Sequence, residues 1–173
     1  STPPSSCAIT MKNSSGTTIS NGATSTSDVT FSVSGLDNAT DDSGIKTSST
    51  YATINGTKKT STEGMDNGSY TVTPVCTDNA GNVFNGTAVT FTLRKTVEIT
   101  FAKNNGTSGT MSKQTCYYNE NCTLNDNKYG RTGHTFTGWN TKAAGTGTAY
   151  ANKGTIKTKT NVTLYAQWKA NVY

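Results

Sequence analysis

Val162, Leu164, Ala166 and Trp168 stand at every second position, with Thr163, Tyr165 and Gln167 between them. Alternation of period two puts the first set on one face of an extended strand and the second set on the other. A strand with one apolar face must bury that face against something, so this stretch calls for a sheet and a covering layer. Phe136 and Trp139 lie just upstream, before a Gly/Thr/Ala-rich loop that cannot form a core by itself. Both tryptophans of the chain fall between Gly133 and Trp168. The reading is a small β module whose main core is built from these rings.

The first half of the chain carries the same period in shorter pieces. Strands are expected at Cys7–Met11, at Asp28–Leu36 with Val29, Phe31 and Val33 on one face, and at Tyr51–Ile54. Further strands are expected at Ser69–Thr77 and at Ala88–Lys95, the latter with Val89, Phe91 and Leu93 inward. Asn38–Gly44 has turn chemistry, and Asn55-Gly56 is a strong hairpin signal. About seven strands separated by turn signals point to an immunoglobulin-like β-sandwich. Two words add to this: D-N-G-S-Y (Asp66–Tyr70) resembles a tyrosine corner, in which a Tyr hydroxyl bonds backbone just upstream. C-T-D-N-A-G-N (Cys76–Asn82) resembles the turn joining the last two strands of bacterial immunoglobulin-like domains. Pro74 departs from the pattern, because proline suits an edge or a bulge rather than a central strand.

Only 31% of residues are hydrophobic and 14% charged, with Ser, Thr, Asn and Gly filling the gap. That balance excludes helical bundles and highly charged disorder and suits an all-β chain of short strands and polar turns. Charge divides the chain. Through Lys95 there are six Lys/Arg against seven Asp/Glu; from Thr96 onward there are nine against three. The expected domains are therefore 1–95 and 96–173, joined by L-R-K-T-V-E with almost no linker, a junction that favours a semi-rigid, elongated pair. The basic second half is a solvated surface or an attractor of anionic polymers.

F-T-G-W-N-T-K-A-A-G-T-G-T-A-Y (Phe136–Tyr150) followed by V-T-L-Y-A-Q-W (Val162–Trp168) resembles the Listeria–Bacteroides repeat, the B-repeat of internalin B. V-E-I-T-F-A-K-N-N-G-T-S-G-T-M (Val97–Met111) is similar to that repeat's opening strand and Gly-rich turn. The resemblance covers roughly residues 96–168. It implies a β-grasp-like module in a multidomain bacterial surface protein, with a short helix or helical turn over Cys122–Gly130. K-A-N-V-Y after Trp168 reads as the start of another repeat, so neighbouring repeat modules are expected partners.

Four cysteines in so Thr-rich a chain suggest an oxidising compartment. Three pairings are possible. Cys116 and Cys122 flank only Y-Y-N-E-N, so a local bridge is easy, which leaves Cys7 with Cys76. A zinc site competes poorly, since no C-x-x-C pair occurs.

No catalytic constellation assembles around the single histidine, His134, which reads as a core or semi-core residue. Asp41-Asp42 sits in a turn with no second carboxylate pair, so glycosidase chemistry lacks a partner, and no Gly-x-Gly word opens a helix that could cradle phosphate. Asp41, Asp42, Asp78, Asn79 and Asn82 could gather oxygens for calcium, or could simply cap turns. Lys–Asn isopeptide bonds need a buried Lys, Asn and acid, and the spacing selects no such trio. Repeated Asn-x-Ser/Thr words arise by chance in this composition. The expectation is a non-enzymatic, cofactor-free, monomeric extracellular segment attached to the cell surface or wall, acting as stalk or adhesion module. The alternatives are direct binding of anionic cell-wall or host glycans, or of a host surface protein, by the basic half, and an accessory role in a secreted glycan-degrading enzyme. Nucleic acid is not an expected partner, because the basic residues are scattered and the aromatics are needed inside. No run is long enough to span a membrane.

Overall fold

The period-two patterns become strands. The computed structural model describes residues 2–37, 44–46 and 49–172, and among them the regular structure is β throughout, with no α-helix. The chain divides into two compact units, Ser1–Lys95 and Thr96–Tyr173.

In the first unit, β1 (Ser6–Asn13) pairs antiparallel with β3 (Val29–Leu36), from Ser6 opposite Leu36 to Asn13 opposite Val29. A second sheet runs in the order β2 (Thr24–Ser25), β8 (Val89–Leu93), β6 (Gly68–Thr77), β4 (Tyr51–Ile54) and β5 (Thr57–Lys59), with β7 (Val83–Asn85) also paired to β6. The two sheets share one core: Met11 and Val29 from the first meet Ala52, Ile54, Val72, Phe91 and Leu93 from the second. Phe31 and Phe91 face each other across it, with ring centroids 6.0 Å apart. Each such side chain taken fully out of water contributes roughly 1.5–3 kcal/mol. The hairpin between β4 and β5 uses Asn55 and Gly56 at φ 50° and 75°, the positive pair that a two-residue type I′ turn requires.

Pro74 sits inside β6, a central strand, opposite Ala52 of β4. Its carbonyl accepts from Gly86 N–H on the other side, where the pairing with β8 ends at Val72 and the pairing with β7 begins at Val75. The missing N–H therefore points into a gap between two partner strands, and no ladder bond is lost.

The second unit is built on a five-stranded sheet. Its order is β10 (Gln114–Tyr117), β9 (Thr96–Ala102), β15 (Val162–Ala170), β12 (His134–Asn140) and β13 (Ala149–Tyr150). The first and last strands of the unit, β9 and β15, lie side by side and parallel, with Val162 opposite Ile99 and Tyr165 opposite Ala102. The short pair β11 (Cys122–Thr123) and β14 (Thr155–Ile156) forms its own two-stranded sheet, and Ile156 of β14 and Leu124, the residue after β11, are buried in the same core as Ile99, Phe101 and Leu164.

Trp139 is the centre of that core, 1% exposed, with ring centroids 4.9 Å from Phe101, 5.0 Å from Phe136 and 6.2 Å from Tyr129. Phe136 and Trp139 are three residues apart, so a regular strand would place them on opposite faces. A bulge at Thr137 resolves this. Phe136 pairs with Trp168, Gly138 with the adjacent Gln167, and Trp139 with Ala166, so one extra residue restores both rings to the inner face. Gly138 carries the bulge at φ 139°, a conformation that disfavours any side chain.

The helix implied over Cys122–Gly130 is not formed. Leu124 N–H donates to Gly154 O, and the Gln114 side chain accepts from Asn125 N–H and donates to Thr123 O. Asn127 closes on Tyr129, accepting its N–H and donating to its carbonyl. Side chains thus satisfy the backbone that a helix would have satisfied, leaving Leu124 and Tyr129 free to enter the core. His134, read as core or semi-core, is half-buried at the start of β12, with Nδ1 2.9 Å from Thr132 O.

Candidate functional site

The register of the second unit sorts its nine cationic residues. Lys113 pairs with Glu98 at 2.6 Å, and Asp126 receives Lys153 at 3.1 Å and Lys128 at 3.8 Å. Asn152 Nδ2 also donates to Asp126 at 2.7 Å. That hydrogen bond first, and Lys153 second, hold the Asp126 carboxyl below its ordinary range. These pairs are exposed and each contributes little to stability.

Three further cations lie toward the end of the sheet at which β9 stops and beyond which β15 runs on to Ala170. Lys103 follows β9 directly, and its carbonyl accepts Trp168 Nε1–H at 3.0 Å. Lys169 on β15 pairs with Thr135 of β12, and Arg131 lies one turn before β12. Parallel pairing of the two central strands brings Lys103, Lys169 and Arg131 to one end of the sheet, with no acidic residue in the adjoining strands β12 and β15. Such an end attracts anions over about one Debye length, roughly 8 Å at physiological salt. It offers charge, and His134, the first residue of β12, lies one register step from the Thr135–Lys169 pair.

The sequence-predicted residues fall elsewhere. Cys7 is bonded to Cys76 with Cα atoms 5.7 Å apart, joining β1 to β6 and hence one sheet of the first unit to the other. Cys116 is bonded to Cys122, stapling β10 to β11. Asp41 and Asp42 lie outside the described residues. Asp78 is fully buried and spends its carboxylate on its own turn, with Oδ1 accepting Asn82 N–H at 2.7 Å and Oδ2 accepting Asn82 Nδ2 at 2.6 Å. Burial would raise its pKa, yet these bonds and those from the Gly81 and Ala80 backbone outweigh burial and lower it. Asn79 N–H donates to Gly44 O. Among the described residues no group of three or more His, Cys, Asp or Glu side chains could hold a metal ion.

Sequence reasoning missed a polar cluster at the end of the first unit. Lys95, 7% exposed, places Nζ 3.0 Å from Asp28 Oδ1, which also accepts the Thr62 hydroxyl. Asn67 grips the Lys95 backbone from both sides, accepting its N–H at 2.6 Å and donating to its carbonyl at 3.0 Å. The four positions are spread over 67 residues, so no local spacing signals the cluster. Tyr70, by contrast, does what its word suggests, donating its hydroxyl to Asp66 O at 2.6 Å.

A 42-residue stretch is 55% identical to a protein of Evansella cellulosilytica described as a Gly-rich membrane protein; the match covers 24% of this chain and 5% of that relative. Residues 98–167, from within β9 to within β15, match the Listeria-Bacteroides repeat domain, so the second unit of this chain carries a repeat of that family.

Proposed function

We propose that this chain is a non-catalytic extracellular segment of a multidomain bacterial surface protein, an immunoglobulin-like sandwich followed by an internalin-type repeat, serving as stalk and adhesion module. The observation that carries the reading is the repeat match over residues 98–167. Two cystines, with no free cysteine among the described residues, fit an oxidising exterior. The Tyr70 corner and the two facing sheets support the immunoglobulin-like assignment of the first unit. Tandem modules of this kind hold a binding head away from the wall and multiply weak contacts by raising effective concentration. Protease shaving of intact producing cells tests the placement: peptides from this chain should be released while a cytoplasmic marker stays inside. Protection until the cells are lysed would overturn it.

A second reading rests on the end formed by Lys103, Arg131 and Lys169: this end takes anionic cell-wall or host glycans. Retention of the chain on heparin or teichoic acid should then fall steeply with salt and be lost in the triple Lys103→Gln, Arg131→Gln, Lys169→Gln variant. No retention at low salt would leave the stalk alone.

A further inference from the structure

The positions at which the chain enters and leaves each unit have a mechanical consequence. In the second unit the chain enters at Thr96 on β9 and leaves past Ala170 on β15. The two strands are parallel, and only the stretch from Ile99 to Ala102 opposite Val162 to Tyr165 is paired between them. Thr96 lies before the paired stretch and Ala170 lies beyond it. Tension applied through the chain therefore drags β9 and β15 in opposite directions along their own axes. All the hydrogen bonds between them share the load at once, rather than parting one after another.

The first unit reaches the same arrangement by another route. Tension entering at the N-terminal side crosses the Ser5 and Ser6 contacts with Leu36, then passes at Cys7 through the cystine to Cys76, bypassing the rest of the β1–β3 ladder. From Cys76 it runs down β6 to β8. In that antiparallel pair Gly68 lies opposite Leu93 and Val72 opposite Val89. Cys76 projects beyond the Val89 end and Lys95 beyond the Gly68 end, so the loaded points again sit at opposite ends of the paired stretch. Lys95 is held there by Asn67 and Asp28. The cystine also withholds the 69-residue separation between its half-cystines from extension. Cys76 is fully buried and Cys7 is 7% exposed, so both sulfurs are shielded from reductant while the unit is folded.

The geometry points to a tension-bearing function: each unit resists pulling along the chain by strand-against-strand shear, and the first unit, once ruptured, yields only the segment from Cys76 to Lys95. For its biological use this inference rests on the stalk reading; its geometry does not.

Single-molecule pulling of the full chain, tethered at its two ends through non-cysteine tags, tests it. The oxidised chain should give one short and one long step, the short one freeing about 65 Å of chain at roughly 3.5 Å per residue, less the folded separation of Cys76 and Lys95. Reductant supplied while the unit is held open should lengthen that step by about 240 Å. Moving the second tether to position 160, just before β15, loads β9 and β15 from the same end, and the second unit should then rupture at a severalfold lower force. Equal rupture forces in the two geometries, or a first step of full length with the cystine intact, would overturn the inference. Either result would leave the shaving experiment, and with it the surface placement, untouched.

Discussion

Gly138→Ala puts the central packing device of the second unit to the test. Gly138 stands at φ 139°, and a Cβ there would meet Tyr150 O at 2.9 Å, on the strand that pairs with Trp139. Forcing an L side chain into that backbone region costs about 1–3 kcal/mol. Accommodating the methyl against the backbone of β13 adds about 1–3 kcal/mol of overpacking. The sum, about 2–6 kcal/mol, corresponds to a fall of roughly 8–48 °C in Tm for a unit of this size. Tryptophan fluorescence during urea and thermal unfolding reads this unit alone, because Trp139 and Trp168 are the chain's two tryptophans. Gly133→Ala is the control: its φ is 67°, but an added Cβ would touch nothing within 4 Å, so only the backbone cost of about 1–2 kcal/mol applies. If Gly138→Ala cost no more than Gly133→Ala, the bulge would not be what seats Phe136 and Trp139 together.

Tyr70→Phe removes the hydrogen bond to Asp66 O and should cost the first unit about 0.5–1.5 kcal/mol, read by calorimetry as a lower first transition with the tryptophan-reported one unchanged. Replacing Cys7 and Cys76 by Ser should cost roughly 4 kcal/mol and replacing Cys116 and Cys122 about 2 kcal/mol, following their loop lengths; equal losses would contradict the loop-entropy account. Asp78 and Asp126 have pKa values below their ordinary 3.8, so their contribution is complete above that value and is lost as pH falls through the depressed ones. Tyr70 and Tyr129, both raised chiefly by burial, contribute fully below pH 10.0 and lose their contribution as pH rises through the raised values. Midpoints measured across pH should therefore fall at both extremes, the acidic loss appearing in both units.

Local chemistry was readable where local chemistry decides the structure. Alternation in Val162–Trp168 placed β15, Asn55-Gly56 placed a hairpin, and the Asp66–Tyr70 word placed a hydroxyl on a carbonyl. What stayed illegible depends on partners distant in the chain. Nothing within Phe136–Trp139 announces a bulge, because the extra residue exists only relative to β15. The parallel neighbourhood of β9 and β15 spans most of the unit, and neither strand's composition names the other. The helix expected after Cys122 gave way to side-chain bonds from Gln114 and Asn127, which only the folded positions bring to bear. The candidate site divides the same way: a basic excess after Thr96 is a matter of counting, whereas the gathering of Lys103, Arg131 and Lys169 follows from strand direction. The Lys95 cluster joins positions from three separate regions and has no sequence signature.

Two β units each hold their own core, the second organised around Trp139. Expressing residues 96–173 alone and following tryptophan fluorescence in urea tests this most directly. A cooperative transition with the same midpoint and slope as in the full chain is the predicted result. A transition that disappears, or that shifts by more than about 1 kcal/mol, would contradict it, because distant independent sites leave each other's stability unchanged within a few tenths.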